Sequence, residues 1–173
     1  MESDLRGIVY NLTAENGGEK EYLELKNLYI KTPFQEEKDR IFRALCAFRD
    51  KNLLSKSLEM AFSKDMRAQD RFKAITFIWA NSSGQDLAWK YVKENWESIT
   101  KTFSGGHLYV RFIQPAAYFT DSKKAKEIEE FFKKNPSVGL ERTIAQVTEQ
   151  IMANELWLKR DKTKIYTFLQ EVK

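Results

Sequence analysis

The sequence predicts an all-α fold, and its composition and hydrophobic spacing are the reasons. The 173 residues include only 7 Gly and 3 Pro, fewer turn-forming residues than a sheet protein of this length needs. Hydrophobic residues make up 42% of the chain and aromatic residues 13%, which is ample material for a packed core. Apolar residues recur at steps of three and four, which is the spacing of one helix face.

Turn-forming residues mark the predicted helix ends at fairly regular intervals. They are Asn16-Gly17-Gly18, Thr32-Pro33, Asp65 and its neighbours, Ser82-Ser83-Gly84, Gly105-Gly106, Thr120-Asp121 and Asn135-Pro136. We predict that Thr32 caps a helix whose first residue is Pro33, where a missing N–H costs nothing. We predict that Ser83 caps a later helix with Asp86, in a variant of the capping box.

The predicted core faces follow from the same spacing. The clearest face lies in the segment 84–103, where charged residues take the opposite side and the apolar residues are Trp89, Val92, Trp96, Ile99 and Phe103. Further predicted faces are Ile41, Leu45 and Phe48, then Phe72, Ile75 and Trp79, then Ile144, Val147, Ile151 and Leu158. We predict that three tryptophans anchor the structural core between hairpins: Trp89, Trp96 and Trp157. The segment 107–113 has strand propensity, but it lacks a partner strand and is predicted to be helical.

Short connections between successive helices predict antiparallel helix hairpins. Hairpins of this size, stacked side by side, form a superhelix like those of HEAT and armadillo repeats. No low-complexity run interrupts the sequence, so we expect residues 1–173 to form a single helical-repeat domain.

The charge and the cysteine content indicate the class of partner and the compartment. The net charge is 29 − 25 = +4, and Lys and Glu alternate along the helices, so we predict no nucleic-acid partner. Cys46 is the only cysteine, the N-terminal residues lack the apolar core of a signal peptide, and no apolar run approaches a membrane span. These features predict a cytoplasmic protein with no membrane partner.

The sequence carries no arrangement of residues that supports catalysis or metal binding. His107 is the only histidine, so a zinc motif with two histidines one helical turn apart is impossible. Cys46 lies in RALCAFR, on a predicted buried face, where a thiol acts as a small apolar side chain rather than as a nucleophile. We therefore predict no catalytic residue and no metal ligand in this chain.

Several stretches resemble, in the right order, the C-terminal helical domain of the gluzincin zinc aminopeptidases. This family includes aminopeptidase N, the endoplasmic-reticulum peptide-trimming aminopeptidases and the tricorn-interacting factors. The resemblance rests on GQDLAWKYVKENWESI (84–99), on ERTIAQVTEQIMANELWLKRDKTKIYTFLQ (141–170) and on the segment between them. The matching residues are Trp89 and Trp96, Phe131 and Phe132, and then Glu149, Ile151, Asn154 and Trp157. DLRGIVYNLTAENGG (4–18) and FRALCAFRDKNLLSKSLEMAFSKDMRAQD (42–70) also fit, so the similarity spans nearly the whole chain.

The resemblance implies a non-catalytic domain that encloses the active-site cavity of a zinc aminopeptidase and controls peptide access and length. Zinc is then expected in a catalytic domain of the same polypeptide that this chain lacks, and no activity is expected from this chain alone. The implied partners are that catalytic domain and peptide substrates. The alternative is a free-standing helical-repeat scaffold that binds proteins.

An inner wall that holds a peptide's C-terminal carboxylate would use arginine, because a guanidinium group binds a carboxylate with two hydrogen bonds. Arg111 and Arg142 are the predicted peptide-binding residues. The alternative for each is an exposed arginine paired with a nearby glutamate.

Overall fold

The structure is a computed structural model that describes residues 3–63, 66, 68–103 and 108–172. These residues form eight α-helices: α1 (Ser3–Asn16), α2 (Glu19–Lys31), α3 (Gln35–Leu45), α4 (Lys51–Ala61), α5 (Ala68–Ala80), α6 (Gln85–Phe103), α7 (Ser122–Lys134) and α8 (Glu141–Glu171). Between α6 and α7, the described residues form two short 3₁₀ helices, at Leu108–Phe112 and Gln114–Tyr118. No β-strand occurs in the described residues, and the all-α prediction is confirmed.

The chain forms two compact units, Met1–Tyr91 (unit 1) and Val92–Lys173 (unit 2). Unit 1 contains α1 to α5 and the first residues of α6. Unit 2 contains the rest of α6, both 3₁₀ helices, α7 and α8.

In unit 1, each helix packs on the next one along the chain and also on the next but one. The phenol of Tyr10 on α1 donates a hydrogen bond to Glu37 Oε1 on α3, at 2.6 Å. Lys56 on α4 forms an ion pair with Glu19 on α2, at 2.8 Å. Helices α3 and α5 are also in contact. The helices of unit 1 therefore form two rows, one made of α1, α3 and α5 and the other of α2 and α4.

The core of unit 1 lies between these two rows. The predicted face of Ile41, Leu45 and Phe48 is confirmed, because each of these side chains is fully buried. Tyr22 from α2 packs edge-on against Phe48, with ring centroids 5.3 Å apart. Its hydroxyl accepts a hydrogen bond from the buried Ser57 on α4. The aromatic cluster thereby joins the two rows.

In unit 2, α7 and α8 form an antiparallel hairpin. Ser122, the first residue of α7, donates a hydrogen bond to Glu155, which lies well along α8. Asn154 on α8 donates to the carbonyl oxygens of Ala117 and Phe119, at 2.8 and 3.1 Å, and so holds the second 3₁₀ helix against α8. Ile151 is the last buried residue of α8, and in the C-terminal half of this helix most of the described side chains are exposed.

Several helix ends agree with the sequence, and two do not. The turn Asn16-Gly17-Gly18 separates α1 from α2 as predicted. Glycine is required at position 17, because a Cβ there would lie 2.5 Å from the carbonyl oxygen of Thr13. The prediction that Thr32 caps a helix beginning at Pro33 is wrong. Thr32 instead ends α2 with an extended backbone, because proline disfavours the helical conformation in the residue before it.

The prediction that Ser83 caps α6 is also wrong, because α6 begins at Gln85 and the residue before it is Gly84. A Cβ at position 84 would lie 2.5 Å from the carbonyl oxygen of Ile78, so only glycine fits there. The segment 108–112 is helical, as predicted, but of the 3₁₀ type. The predicted breaks at Asp65 and at Gly105-Gly106 lie outside the described residues.

Glu37 is a buried carboxylate at the contact between α1 and α3, with 8% of its surface exposed. It accepts the hydrogen bond from Tyr10 and forms ion pairs with Arg40, at 3.0 Å, and Arg6, at 3.6 Å. The hydrogen bond from Tyr10 is the main reason that the pKa of Glu37 lies below its usual value, and the two arginines act in the same direction.

We predict that replacing Trp96 with Ala lowers the free energy of unfolding by about 3–5 kcal/mol. Trp96 is buried, packs edge-on against Phe132 with ring centroids 5.1 Å apart, and donates a hydrogen bond to Ser137. Urea denaturation measures the effect. The control is Trp157→Ala, which removes the same side chain from an exposed position and should cost less than about 1 kcal/mol. Equal losses for the two variants would contradict the packing described here.

We predict that Glu37 makes the stability depend on pH in the acid range. Because its pKa is lowered in the folded state, its stabilising contribution is complete above the unfolded pKa of about 4.3 and disappears as the pH falls through the folded pKa. In Glu37→Gln, the decline in stability between pH 5 and pH 3 should become shallower, as measured by urea denaturation across that range. Glu36→Gln, which alters an exposed carboxylate on the same helix, is the control. A decline that Glu37→Gln leaves unchanged would contradict this role.

Candidate functional site

A cleft of about 550 Å³ in unit 1 is the candidate functional site. Residues of α1, α3 and α5, the segment after α3 and the turn before α6 line this cleft. Its volume falls in the range of known ligand pockets, about 300–1,000 Å³. The lining residues used below are Glu15, Arg43, Cys46, Arg49, Phe77 and Asn81.

The arginines reach the cleft because of the helical repeat of α3. Ile41 and Leu45 face the core, so Arg43, which lies between them in sequence, points away from the core and is exposed. Its guanidinium carbon lies 5.7 Å from the centroid of the Phe77 ring on α5, a cation–π contact that orients the side chain. Arg49 follows the end of α3 and is also exposed.

Asn81 fixes the wall of the cleft. Its amide nitrogen donates hydrogen bonds to the carbonyl oxygens of Cys46 and Phe48, at 3.1 and 2.7 Å. Its amide oxygen accepts a hydrogen bond from the backbone N–H of Ser83, at 3.0 Å. One side chain therefore ties the segment after α3 to the turn before α6, and it holds the backbone beside both arginines in one position.

The cleft has a net positive charge. Arg43 and Arg49 contribute two positive charges and Glu15 one negative charge, which gives 2 − 1 = +1. Among the described residues, neither arginine has a carboxylate within ion-pair distance. Two guanidinium groups beside a cleft with a rigid wall can bind an anionic group, and a carboxylate matches their geometry.

The chemistry for catalysis or zinc binding is not found in the described part of the chain. Cys46 is almost completely buried behind the cleft, and burial raises the pKa of its thiol, so it is not a reactive thiolate. No group of three or more His, Cys, Asp or Glu side chains in the described residues could hold a metal ion. His107 lies outside those residues.

The two arginines predicted from the sequence lie in unit 2, whereas the cleft lies in unit 1. Arg111 is in the first 3₁₀ helix and Arg142 is in the first turn of α8, and both are exposed. Arg43 and Arg49 were not predicted. The sequence signal that could have identified them is RALCAFR (43–49), in which one arginine precedes the end of α3 and the other follows it.

The predicted tryptophan anchors differ in their burial. Trp89 and Trp96 are 1% and 5% exposed, whereas Trp157 is 51% exposed and lies outside the core of the described residues. The packed face of α8 continues from Ile151 through Asn154, and the helical repeat turns Trp157 away from that face. The sequence shows that Trp157 is apolar, but it does not show that this side chain lies on the exposed side of α8.

The fold defines the class of the chain, which is an all-α array of packed helices. The family described as the ERAP1-like C-terminal domain matches residues 1–153, and this chain belongs to that family. The match covers both rows of unit 1 and most of unit 2 apart from the C-terminal half of α8.

The similar proteins are aminopeptidases by name. Aminopeptidase M1-C of Oryza sativa subsp. japonica is 30% identical over 168 residues, which cover 95% of this chain and 19% of the rice protein. Glutamyl aminopeptidase of Rattus norvegicus is 30% identical over 166 residues, which cover 94% of this chain and 18% of the rat protein. Alanine/arginine aminopeptidase of Saccharomyces cerevisiae is 27% identical over 168 residues, which cover 96% of this chain and 20% of the yeast protein. The chain thus spans about one fifth of the length of these relatives.

We predict that Asn81→Ala lowers the free energy of unfolding by about 1–3 kcal/mol, because two backbone carbonyl groups lose their donor. Thermal or urea denaturation measures the loss. Ser82→Ala, at the neighbouring exposed position of the same cleft, is the matched control and should have little effect. If both variants are as stable as the parent chain, Asn81 does not hold the wall of the cleft.

Proposed function

We propose that this chain is the non-catalytic C-terminal part of a zinc-dependent aminopeptidase, where it encloses the active-site cavity and controls the access and length of peptides. The observation that carries the proposal is the family match combined with coverage: the chain accounts for about one fifth of proteins that are named aminopeptidases. The remaining four fifths leave room for a catalytic domain. In this proposal, residues 1–173 act as one helical-repeat domain.

The division of labour follows from the chemistry of the side chains. The described residues supply neither a metal-binding cluster nor a reactive thiol. In the proposal, zinc and the groups that cleave the peptide bond belong to the catalytic domain of the same polypeptide, which is the main partner of this chain. No catalytic step is assigned to this chain.

The C-terminal half of α8 supports docking against that catalytic domain. It carries large exposed apolar side chains, including Leu156, Tyr166 and Phe168, each with more than 60% of its surface exposed. A chain in water rarely leaves so many neighbouring apolar side chains uncovered unless another surface packs on them. The proposal places the catalytic domain on this face.

The cleft supports contact with peptide substrates. Arg43 and Arg49 beside the rigid wall at Asn81 can hold the C-terminal carboxylate of a peptide whose N-terminus lies in the catalytic domain. A fixed distance between the two ends would select peptides by length. Arg111 and Arg142 are the second candidates for the same role, since both are exposed arginines.

The cellular location is also part of the proposal. None of the helices in the described ranges is both long enough and apolar enough to cross a membrane. We expect the protein to work in the cytoplasm.

We predict that the chain binds a peptide with a free C-terminal carboxylate better than the same peptide with a C-terminal amide, which removes the terminal charge. Isothermal titration calorimetry measures both affinities. The variant Arg43→Gln/Arg49→Gln should lose the preference, a change of about tenfold or about 1.4 kcal/mol in binding. The matched control, Arg111→Gln/Arg142→Gln, removes the same charge from unit 2.

The outcomes separate the two pairs of arginines. If the preference for the free carboxylate persists in Arg43→Gln/Arg49→Gln but is lost in the control variant, the peptide binds at Arg111 and Arg142 instead. Equal binding of the carboxylate and the amide would count against peptide recognition by this chain. The free-standing helical scaffold that binds proteins would then be the better function.

A further inference from the structure

A second groove in unit 1, of about 480 Å³, lies among α2, α3 and α4. We name it the α2–α4 groove. Its apolar lining consists of Tyr29, Ile30, Met60 and Met66. Ile30 is 65% exposed, so the groove offers an apolar surface that water now covers. Methionine side chains adapt their shape to different ligands, and this property suits a groove that accepts an apolar side chain.

Three lysines from three different helices line the same groove: Lys26 on α2, Lys38 on α3 and Lys56 on α4. The Lys38 ammonium nitrogen lies 5.5 Å from the centroid of the Tyr29 ring, so a cation–π contact holds it over the apolar lining. Glu59 is the only carboxylate that lines the groove in the described part of the chain, and the lining charge is 3 − 1 = +2.

The three lysines differ in whether they form an ion pair. Lys56 forms the ion pair with Glu19 at 2.8 Å. Within the described ranges, neither Lys26 nor Lys38 has a carboxylate at ion-pair distance, so the groove can offer two ammonium groups to a ligand without breaking an existing ion pair. A ligand that fits this groove has carboxylates that pair with Lys26 and Lys38. It also has an apolar side chain that packs on the lining between these lysines.

We propose that the α2–α4 groove binds an acidic peptide segment of a partner protein, with an apolar side chain of that segment inserted between the lysines. The positions of the negative charges favour a peptide over a continuous polyanion. Glu59 lines the groove and Glu19 lies beside Lys56, so a nucleic-acid backbone or an anionic membrane would meet both carboxylates. A peptide can place its carboxylates at Lys26 and Lys38 alone, and charge complementarity then sets the register of the segment.

This groove is separate from the cleft of the proposed function. The cleft is lined by α1, α3 and α5, whereas the groove is lined by α2, α3 and α4 and shares no lining residue with it. The inference therefore does not rest on the aminopeptidase proposal, and either one can fail while the other stands.

Fluorescence anisotropy with the full 173-residue chain tests the proposal. The probe is a short fluorescein-labelled peptide of alternating glutamate and leucine. Two further peptides replace every leucine with serine or every glutamate with glutamine. The test variant is Lys26→Glu/Lys38→Glu, and the control variant is Lys20→Glu/Lys51→Glu, which makes the same change in charge at exposed positions outside the groove.

We expect saturable 1:1 binding of the probe that weakens by about tenfold or more in Lys26→Glu/Lys38→Glu and changes by less than about twofold in the control variant. Both replacement peptides should bind more weakly than the probe. Circular dichroism checks that each variant is folded. If the charge-reversal variant does not fold, Lys26→Gln/Lys38→Gln replaces it, with a smaller loss of the same direction expected.

Several results would overturn the proposal. One is the absence of saturable binding, and another is equal weakening by the control variant, which would show general attraction to a basic protein. Equal binding of the serine peptide would show that the apolar lining has no role. Binding of phosphatidylserine vesicles or of duplex DNA that depends on Lys26 and Lys38, without binding of the probe, would assign the groove to a membrane or to nucleic acid.

Discussion

The burial of one apolar face per helix is the interaction on which this structure depends. Helices such as α3 and α4, with 11 residues each, are too short to be stable alone in water, so most of their stability comes from packing on neighbours. Ile41 and Leu45 on α3 are fully buried because α1, α2 and α4 all contact that helix. The same requirement makes the C-terminal half of α8 conspicuous, because most of its large apolar side chains are exposed in the described residues, as are those of Leu5, Ile8 and Leu12 on α1.

Hydrophobic spacing predicted the buried face of α6, since helical periodicity and burial follow from the same geometry. All five residues of the predicted face of α6 are buried, from Trp89 to Phe103. Features set by contacts distant in sequence could not be predicted this way. The start of α6 depends on the close approach of Gly84 to Ile78, and the exposure of Trp157 depends on which side of α8 faces the 3₁₀ helix. The cleft was missed for the same reason, because Asn81 joins it across more than 30 residues.

The cleft and the α2–α4 groove of unit 1 have different linings, and in our proposals each lining suits a different ligand. In the cleft, Asn81 holds the backbone while Arg43 and Arg49 supply planar donors that suit a terminal carboxylate. In the α2–α4 groove, lysines surround an apolar lining, which suits a segment with several acidic residues and an apolar anchor. In both, charged residues from neighbouring helices and from the segments between helices lie close together.

The central claim is that this chain works as part of a longer aminopeptidase, and the size of the natural gene product tests it most directly. An antibody raised against the chain would be used to purify the protein from its source, followed by gel electrophoresis and an assay with aminoacyl substrates. The account predicts a polypeptide about five times larger than the 20.4 kDa of this chain, with aminopeptidase activity that a zinc chelator removes. A single inactive band at 20.4 kDa would contradict the account and identify a free-standing helical scaffold.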